Sequence, residues 1–192
     1  MDGMHSSKGI LRIVGGKFRS RRLRVAARPG LRPTPDRVRE TLFNWLGQDL
    51  SGLACLDLYA GSGALGFEAA SRGAARVVMV ERDRGAVAAL EKSRAALGAG
   101  EVEIVAGEAE TYLARAREDF DVVFLDPPFR TGVLPGVLER LPLKAHARIY
   151  IESESPIAAA GWQELRRGKA GQVSYQLLQW SGDDQGDLPR HV

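Results

Sequence analysis

The stretch DLYAGSGALG, residues 57–66, decides the fold. It follows the apolar run LACL and opens ALGFEAASRG, so Gly61, Gly63 and Gly66 form a G-x-G-x-x-G pattern between an expected strand and helix. Glycines at such a turn let a ligand approach backbone N–H groups closely. Glu81 ends the next apolar run, 20 positions after Gly61, where a carboxylate can accept both hydroxyl protons of a ribose. This context suits adenosine-bearing cofactors in general. Tyr59, Ala60, Gly61, Ser62 and Gly63 would form the wall of the site, with Arg82 beside Glu81.

Asp57 narrows the choice of cofactor. A carboxylate just before the loop would repel a pyrophosphate, but it suits the ammonium and sulfonium charges of S-adenosylmethionine, directly or through water. The alternative is a side chain that caps the loop by hydrogen bonding. Glu108, near the end of VEIVAG, could accept from an adenine amino group while the Ala109 N–H serves a ring nitrogen. Its alternative role is that of an acid at a helix N-terminus.

Outward from this turn the pattern repeats. RVVMVERD, GAVAALEKSRAAL, VEIVAG, AETYLARARE, DVVFLDPPF and ARIYIESES alternate short apolar runs with amphipathic segments. The class is therefore α/β: a mostly parallel sheet with helices on both faces. KAGQVSYQLLQW has two strand-like pieces around Gly171 that could close the sheet with an antiparallel edge. His146 has no visible catalytic partner and reads as a loop residue.

DVVFLDPPF places Asp126, Pro127, Pro128 and Phe129 at the C-terminal tip of a buried strand, where open α/β sheets build their sites. The two prolines fix an extended turn that aims carbonyls and the Asp126 carboxylate as acceptors toward an amine with two N–H donors. Phe129 can stack on the ring that bears that amine. An exocyclic base nitrogen is a poor nucleophile, because its lone pair is delocalised into the ring. Acceptors that stabilise positive charge growing on nitrogen are what its chemistry requires. Asp126 also borders the expected cofactor site. A D-P-P-F tetrapeptide can be a plain turn, but here it caps the fourth strand of a chain with a cofactor turn after its first.

The amino-terminal part differs in character. Residues 1–50 carry 11 Lys/Arg and 4 Asp/Glu, whereas residues 51–192 carry 16 and 20. A basic arm on a mildly acidic body suggests a polyanionic partner. ILRIVGGKFRSRRLRV (residues 10–25) alternates apolar and basic residues and reads as a hairpin. Lys17, Arg19, Arg21, Arg22 and Arg24 are its candidate contacts to that polyanion, and because Arg19, Arg21, Arg22 and Arg24 alternate in face only about half of these four would touch it at once. Thr34 is a candidate N-cap and Pro35 a first-turn residue of a helix carrying Val38, Leu42, Trp45 and Leu46 to about residue 47. Arg37 and Arg39 on that helix could meet an acid or a phosphate of the polyanion.

The whole chain, 192 residues with 44% hydrophobic and 27% charged, suits one globular domain plus an appendage. Its one cysteine, Cys55, excludes an intrachain disulfide and a cysteine-rich zinc site, so no metal is expected and a reducing cytoplasm fits. The expected organisation is a disordered tail at 1–9, the hairpin and docking helix at 10–50, an S-adenosylmethionine-binding catalytic domain at 51–180, and a second disordered tail at 181–192.

With these residues placed, the chain resembles the class I methyltransferases, and within them the RsmD family of bacterial 16S rRNA guanine-N2 methyltransferases. Besides the cofactor turn and DPPF, the match includes RIVGGKFRSRRL (12–23), GLRPTPDRVRETLFNWL (30–46), IYIESE (149–154) and AGQVSYQLLQW (170–180). The resemblance implies a Rossmann-like fold with a seven-stranded sheet, a reversed final strand and a basic hairpin that meets rRNA. It also implies a monomer that modifies a guanine in 16S rRNA of the small ribosomal subunit or its assembly intermediate. Two positions depart from the family pattern: Glu108, where Asp or Asn is usual, and Ser20, where Gly is common. The residues taken alone also admit methylation of adenine N6, cytosine N4 or a glutamine amide, an NAD-dependent oxidoreductase, and a catalytically idle RNA-binding module.

Overall fold

The computed structural model describes residues 9–25, 34–128 and 131–181. Phe129 and almost all of both expected tails lie outside the described residues. The arm begins as an antiparallel pair, β1 (Ile10–Arg12) and β2 (Arg22–Arg24), followed by α1 (Asp36–Trp45). The body alternates β3 (Ala54–Asp57), α2 (Ala64–Ser71), β4 (Arg76–Glu81), α3 (Arg84–Leu97), β5 (Val102–Ala106), α4 (Ala109–Leu113), β6 (Phe120–Leu125) and α5 (Leu134–Leu138). It ends with β7 (Leu143–Ser153), β8 (Trp162–Ala170) and β9 (Val173–Trp180).

The seven body strands form one sheet in the order β5-β4-β3-β6-β7-β9-β8. The pairings β3–β4, β3–β6, β4–β5 and β6–β7 are parallel, and β9 runs antiparallel to both β7 and β8. The final strand is thus reversed, as the resemblance implies, but it enters between β7 and β8 and leaves β8 at the edge. The order reverses direction at β3, so its carboxyl end and that of β6 open the crevice in which such sheets bind ligands.

Alternate residues of the central strands enter opposite cores. Cys55, Val77, Met79, Val122 and Phe124 pack with α1, α2 and α3, while Leu56, Val78, Val80, Val123 and Leu125 pack with α4 and α5. Burial on both faces is why these runs are continuously apolar. His146 is part of β7 rather than a loop. It sits with φ +61° where the pairing between β6 and β7 slips register, so its exposed side chain reflects a local irregularity within the strand.

The arm shares the body's core, since Leu11, Ile13, Leu23 and Val25 belong to the same apolar cluster as α1 and α2. A buried charge cluster fastens it. Glu68, fully buried on α2, accepts the Val14 and Gly15 N–H groups at 2.8 and 2.7 Å. The same carboxylate accepts from Arg39 Nη1 at 3.2 Å and Arg72 Nε at 3.0 Å. Arg39 is also fully buried, donating to the Thr34 and Arg12 carbonyls and to Asp36 Oδ1. Its expected role as an RNA contact is therefore wrong, because helical position alone could not tell a cation facing out from one facing a buried acid. Ser20 has φ +67°, the left-handed region, which gives a physical reason for glycine at the matching position of the family.

Thr34 does not cap α1. Pro35 occupies the N-cap position, and the Thr34 hydroxyl donates instead to Glu152 Oε1 at 3.0 Å, at the carboxyl end of the sheet.

Candidate active site

The carboxyl ends of the parallel strands carry acids in succession: Asp57 ends β3, Glu81 ends β4, Asp126 follows β6, and Glu152 is the penultimate residue of β7. Between them and the arm lies a cavity of about 1230 Å³, above the roughly 300–1,000 Å³ of a single small-ligand site, so there is room for a cofactor and a second reactant. Tyr59, Gly61, Glu81, Arg82, Glu108 and Ala109 line one end. Thr34, Asp126, Pro127, Pro128, Glu152 and Tyr175 line the other.

The cofactor end is built by the glycine turn. Gly61 and Gly63 have φ of +51° and +79°, and Gly63 starts α2 in the left-handed region where a side chain would strain the turn. Gly66 serves packing, since a Cβ there would overlap the Met79 side chain on β4. The Gly61 N–H donates to Glu81 Oε2 and the Asp83 N–H to Glu81 Oε1, both at 2.8 Å, which fixes Glu81 at the cavity wall. Tyr59 lines this end with its ring, while its phenol oxygen is buried without a hydrogen-bond partner among the described residues, and burial pushes its pKa up to about 12.

Two expected cofactor residues stand differently. Asp57 is buried beneath the loop rather than in the cavity wall, and its Oδ2 accepts the Gly66 N–H at 3.0 Å. It thus fastens the loop to α2, the capping alternative, and its charge reaches the cavity only through that loop. Glu108 precedes α4 without capping it by its side chain. The half-exposed Glu108 carboxylate lies 3.6 Å from exposed Arg82, so this pair frames the rim. Ala60 and Gly63 are buried in the turn, with Ser62 partly exposed between them.

The other end is an excess of negative charge. Burial pushes the Asp57 pKa up to about 7, with the backbone N–H groups of Gly66 and Tyr59 opposing the shift and Glu81 adding to it. Burial, with Glu152 and Asp57 nearby, also holds Asp126 well above the ordinary carboxylate range. Glu152 is raised by burial, partly offset by the hydroxyls of Tyr150 and Thr34. Among the described residues no cation pairs with Asp57, Asp126 or Glu152. The chain folds these acids close enough to disfavour one another's charge, an arrangement that a cationic ligand and N–H donors would relieve. These acceptors, Glu81 at one end and Asp126 and Glu152 at the other, fit the ribose and the positive charge of S-adenosylmethionine.

The sequence reading missed Glu152, although the signal was present. Leu125 pairs with Ile151 across β6 and β7, so Asp126 and Glu152 each stand one residue beyond that pair. The β8–β9 turn, Ala170 to Val173, was also missed as part of the wall; only the three-dimensional crossing of β9 brings it there.

On the arm, Arg12, Arg22 and Arg24 lie on one exposed face of the hairpin, because Leu11 and Leu23 between them face the core. Arg19 and Arg21 are exposed in the connection between β1 and β2, so the expected alternation does not hide half of the cations. Lys17 pairs with Glu101 at 2.6 Å and Arg21 donates to the Ala96 carbonyl at 2.7 Å, whereas Arg37 is exposed on α1.

The family model described as Conserved hypothetical protein 95 matches residues 11–179. Ribosomal RNA small subunit methyltransferase D of Escherichia coli is 45% identical over 95% of this chain and 96% of its own. The protein of the same name from Haemophilus influenzae is 40% identical, over 91% and 96%. The solved structure of the Escherichia coli protein yhhF superposes with a TM-score of 0.83 at 46% identity, over 91% of this chain and all (100%) of that one.

Proposed function

This chain belongs to the Conserved hypothetical protein 95 family, the RsmD family, and from that membership and the cleft we propose that it methylates the exocyclic N2 amine of a guanine in 16S rRNA. The observation that carries the reading is the pairing, in one cavity, of a glycine turn closed by Glu81 with Asp126-Pro127-Pro128 beside it. S-adenosylmethionine, when bound, supplies an electrophilic methyl group on a positively charged sulfur.

The chain supplies the rest. Glu81 offers acceptors for a ribose, and the Gly61–Gly63 turn lets the ligand lie against backbone. Asp126 and the Pro127 carbonyl accept the two N–H bonds of the amine and so stabilise the positive charge that develops on nitrogen. Positive charge in the cleft favours the ionised Asp126 that this role requires. Asp126 is then placed to hold the proton the amine sheds, and its raised affinity for a proton suits it to do so.

The arm delivers the substrate. Arg22 and Arg24 on the hairpin face and the exposed Arg19, Arg21 and Arg37 present cations to phosphates, Arg12 being held by Asp36, and the partner is the small subunit or its assembly intermediate. The protein works as a monomer in the cytoplasm; no helix among the described residues is long and apolar enough to cross a membrane.

Asp126→Asn should lower methyl transfer by about 100- to 1,000-fold, while S-adenosylmethionine affinity stays within a few-fold. The test is mass-spectrometric mapping of small-subunit RNA from a strain lacking the enzyme, treated with wild type or variant, alongside calorimetric cofactor binding. Equal loss of cofactor binding would contradict the assignment of Asp126 to the amine. Charge reversal at Arg22 and Arg24 should weaken subunit binding and flatten its salt dependence by about one unit of slope per lost phosphate contact, and unchanged binding would remove the hairpin from the RNA surface.

A further inference from the structure

We infer that Glu152 is the residue that selects guanine, by accepting the ring N1–H beside the amine held by Asp126. The inference rests on the function proposed above and deepens it.

Glu152 is buried on β7 at the cavity wall, next to Asp126 across the parallel strands. Its hydrogen bonds are one-sided. Oε1 accepts from the Thr34 hydroxyl at 3.0 Å and from the Tyr150 phenol at 2.8 Å. Oε2 has no hydrogen-bond partner among the described residues. Tyr150 is itself fully buried and packs against Tyr175, at 6.4 Å between ring centroids, and Tyr175 is in turn 5.4 Å from Trp45. Two donors fixed by packing therefore aim this carboxylate and favour it as an acceptor.

The chemistry of the competing amines turns this geometry into selectivity. In guanine the N2 amine adjoins the N1–H, so the edge presents donors side by side to two carboxylates. In adenine the N6 amine adjoins N1, in cytosine the N4 amine adjoins N3, and both ring nitrogens carry a lone pair. A glutamine amide places its carbonyl oxygen beside the nitrogen. Each of these would set an acceptor against the Glu152 carboxylate, so that binding it would require Glu152 first to take up a proton, whereas guanine brings its own. A site built to bind a substrate N–H rejects analogues lacking it far more strongly than an apolar pocket can. Asp126 alone recognises an amine; Asp126 with Glu152 recognises an amine next to a ring N–H.

The test replaces the methylated guanine, once mapped, with 2-aminopurine in reconstituted small subunits. 2-Aminopurine keeps the N2 amine but has a lone pair at N1. Wild-type protein should favour guanine in kcat/KM by at least about 100-fold. Glu152→Gln, whose amide can donate to that lone pair, should narrow the ratio at least about tenfold, with S-adenosylmethionine affinity and the melting temperature close to wild type. Comparable wild-type rates on the two bases overturn the inference whether or not the variant folds, and so does an unchanged ratio in the variant. Absence of N2-methylguanine with wild-type protein instead overturns the function reading, and this inference with it.

Discussion

Acids are withdrawn from solvent in two places, Glu68 on α2 beneath the arm and Asp57, Asp126 and Glu152 at the carboxyl ends of the strands, and the two are built on opposite plans. Beneath the arm, Glu68 is surrounded by donors: two backbone N–H groups, Arg39 and Arg72. At the sheet's carboxyl ends, Asp57 and Glu152 are buried and Asp126 half-buried, with few donors and with one another's charge for company. Burying a carboxylate is costly in both places, but only in the first does the chain, among the described residues, supply a countercharge as well as hydrogen bonds. The first cluster is therefore structural, holding the arm to the body, while the second is completed by ligands. A buried charge becomes informative about function when its compensation is missing.

The sharpest way to break this contrast is Glu68→Ala. It leaves Arg39 and Arg72 without their shared buried carboxylate and the Val14 and Gly15 N–H groups without an acceptor, and should cost about 3–5 kcal/mol in urea unfolding. A loss below about 1 kcal/mol would show that Asp36 and the carbonyls suffice for Arg39.

Asp57 should behave in the opposite sense. Its folded pKa of about 7 lies above the ordinary 3.8, so the folded state holds the proton more tightly. That contribution is complete below about pH 4 and is lost as pH rises through about 7. Asp57→Asn keeps an oxygen for the Gly66 N–H and removes the ionisation. Without ligand it should melt at least ~4 °C above wild type at about pH 8, with the difference closing toward about pH 4. Addition of S-adenosylmethionine should shrink the difference at the higher pH, because the ligand's positive charge stabilises the wild-type carboxylate. A variant that melts below wild type at every pH would mean that the acid is compensated within the chain.

The fold and the cofactor turn are largely legible in the sequence, this contrast is not, and the difference has a physical cause. The glycine turn, the alternating strands, Glu81 and the Asp126 tip depend on local pattern, since strand ends and tight turns constrain residues near one another in sequence. Arg39 and Glu152 depend on partners far away, at Glu68 and at Thr34 and Asp126. Arg39 looked like its exposed helix neighbour Arg37 because the charge sequence of α1 does not record that α2 presents an acid to one of its faces. Asp57 was read as an acid facing the ligand, yet its Oδ2 is spent on the Gly66 N–H, nine residues on. Glu152 was passed over within a strand otherwise apolar, although the tip of the strand beside Asp126 is where a second acceptor belongs. Thr34 showed the composition of a cap but found a buried acceptor across the sheet.

The smallest effect comes from the outer edge of the structural cluster. Asp36 binds both Arg39, fully buried, and Arg12, whose side chain is 54% exposed and reaches Asp36 Oδ2 at 2.8 Å. Burial tends to raise the Asp36 pKa, but the Arg12 hydrogen bond and the Arg39 charge more than offset it, so the net shift is downward. The stabilisation is therefore present above about pH 4 and is lost on acidification. Arg12→Ala keeps the backbone carbonyl that Arg39 uses and leaves Asp36 paired with Arg39. Only a solvent-exposed ion pair is removed, worth about 0.2–1 kcal/mol at neutral pH and less in high salt. Urea unfolding at low and high salt distinguishes the outcomes: a loss comparable to that of Glu68→Ala would extend the buried network to the surface, and a small, salt-sensitive loss would place its boundary at Asp36.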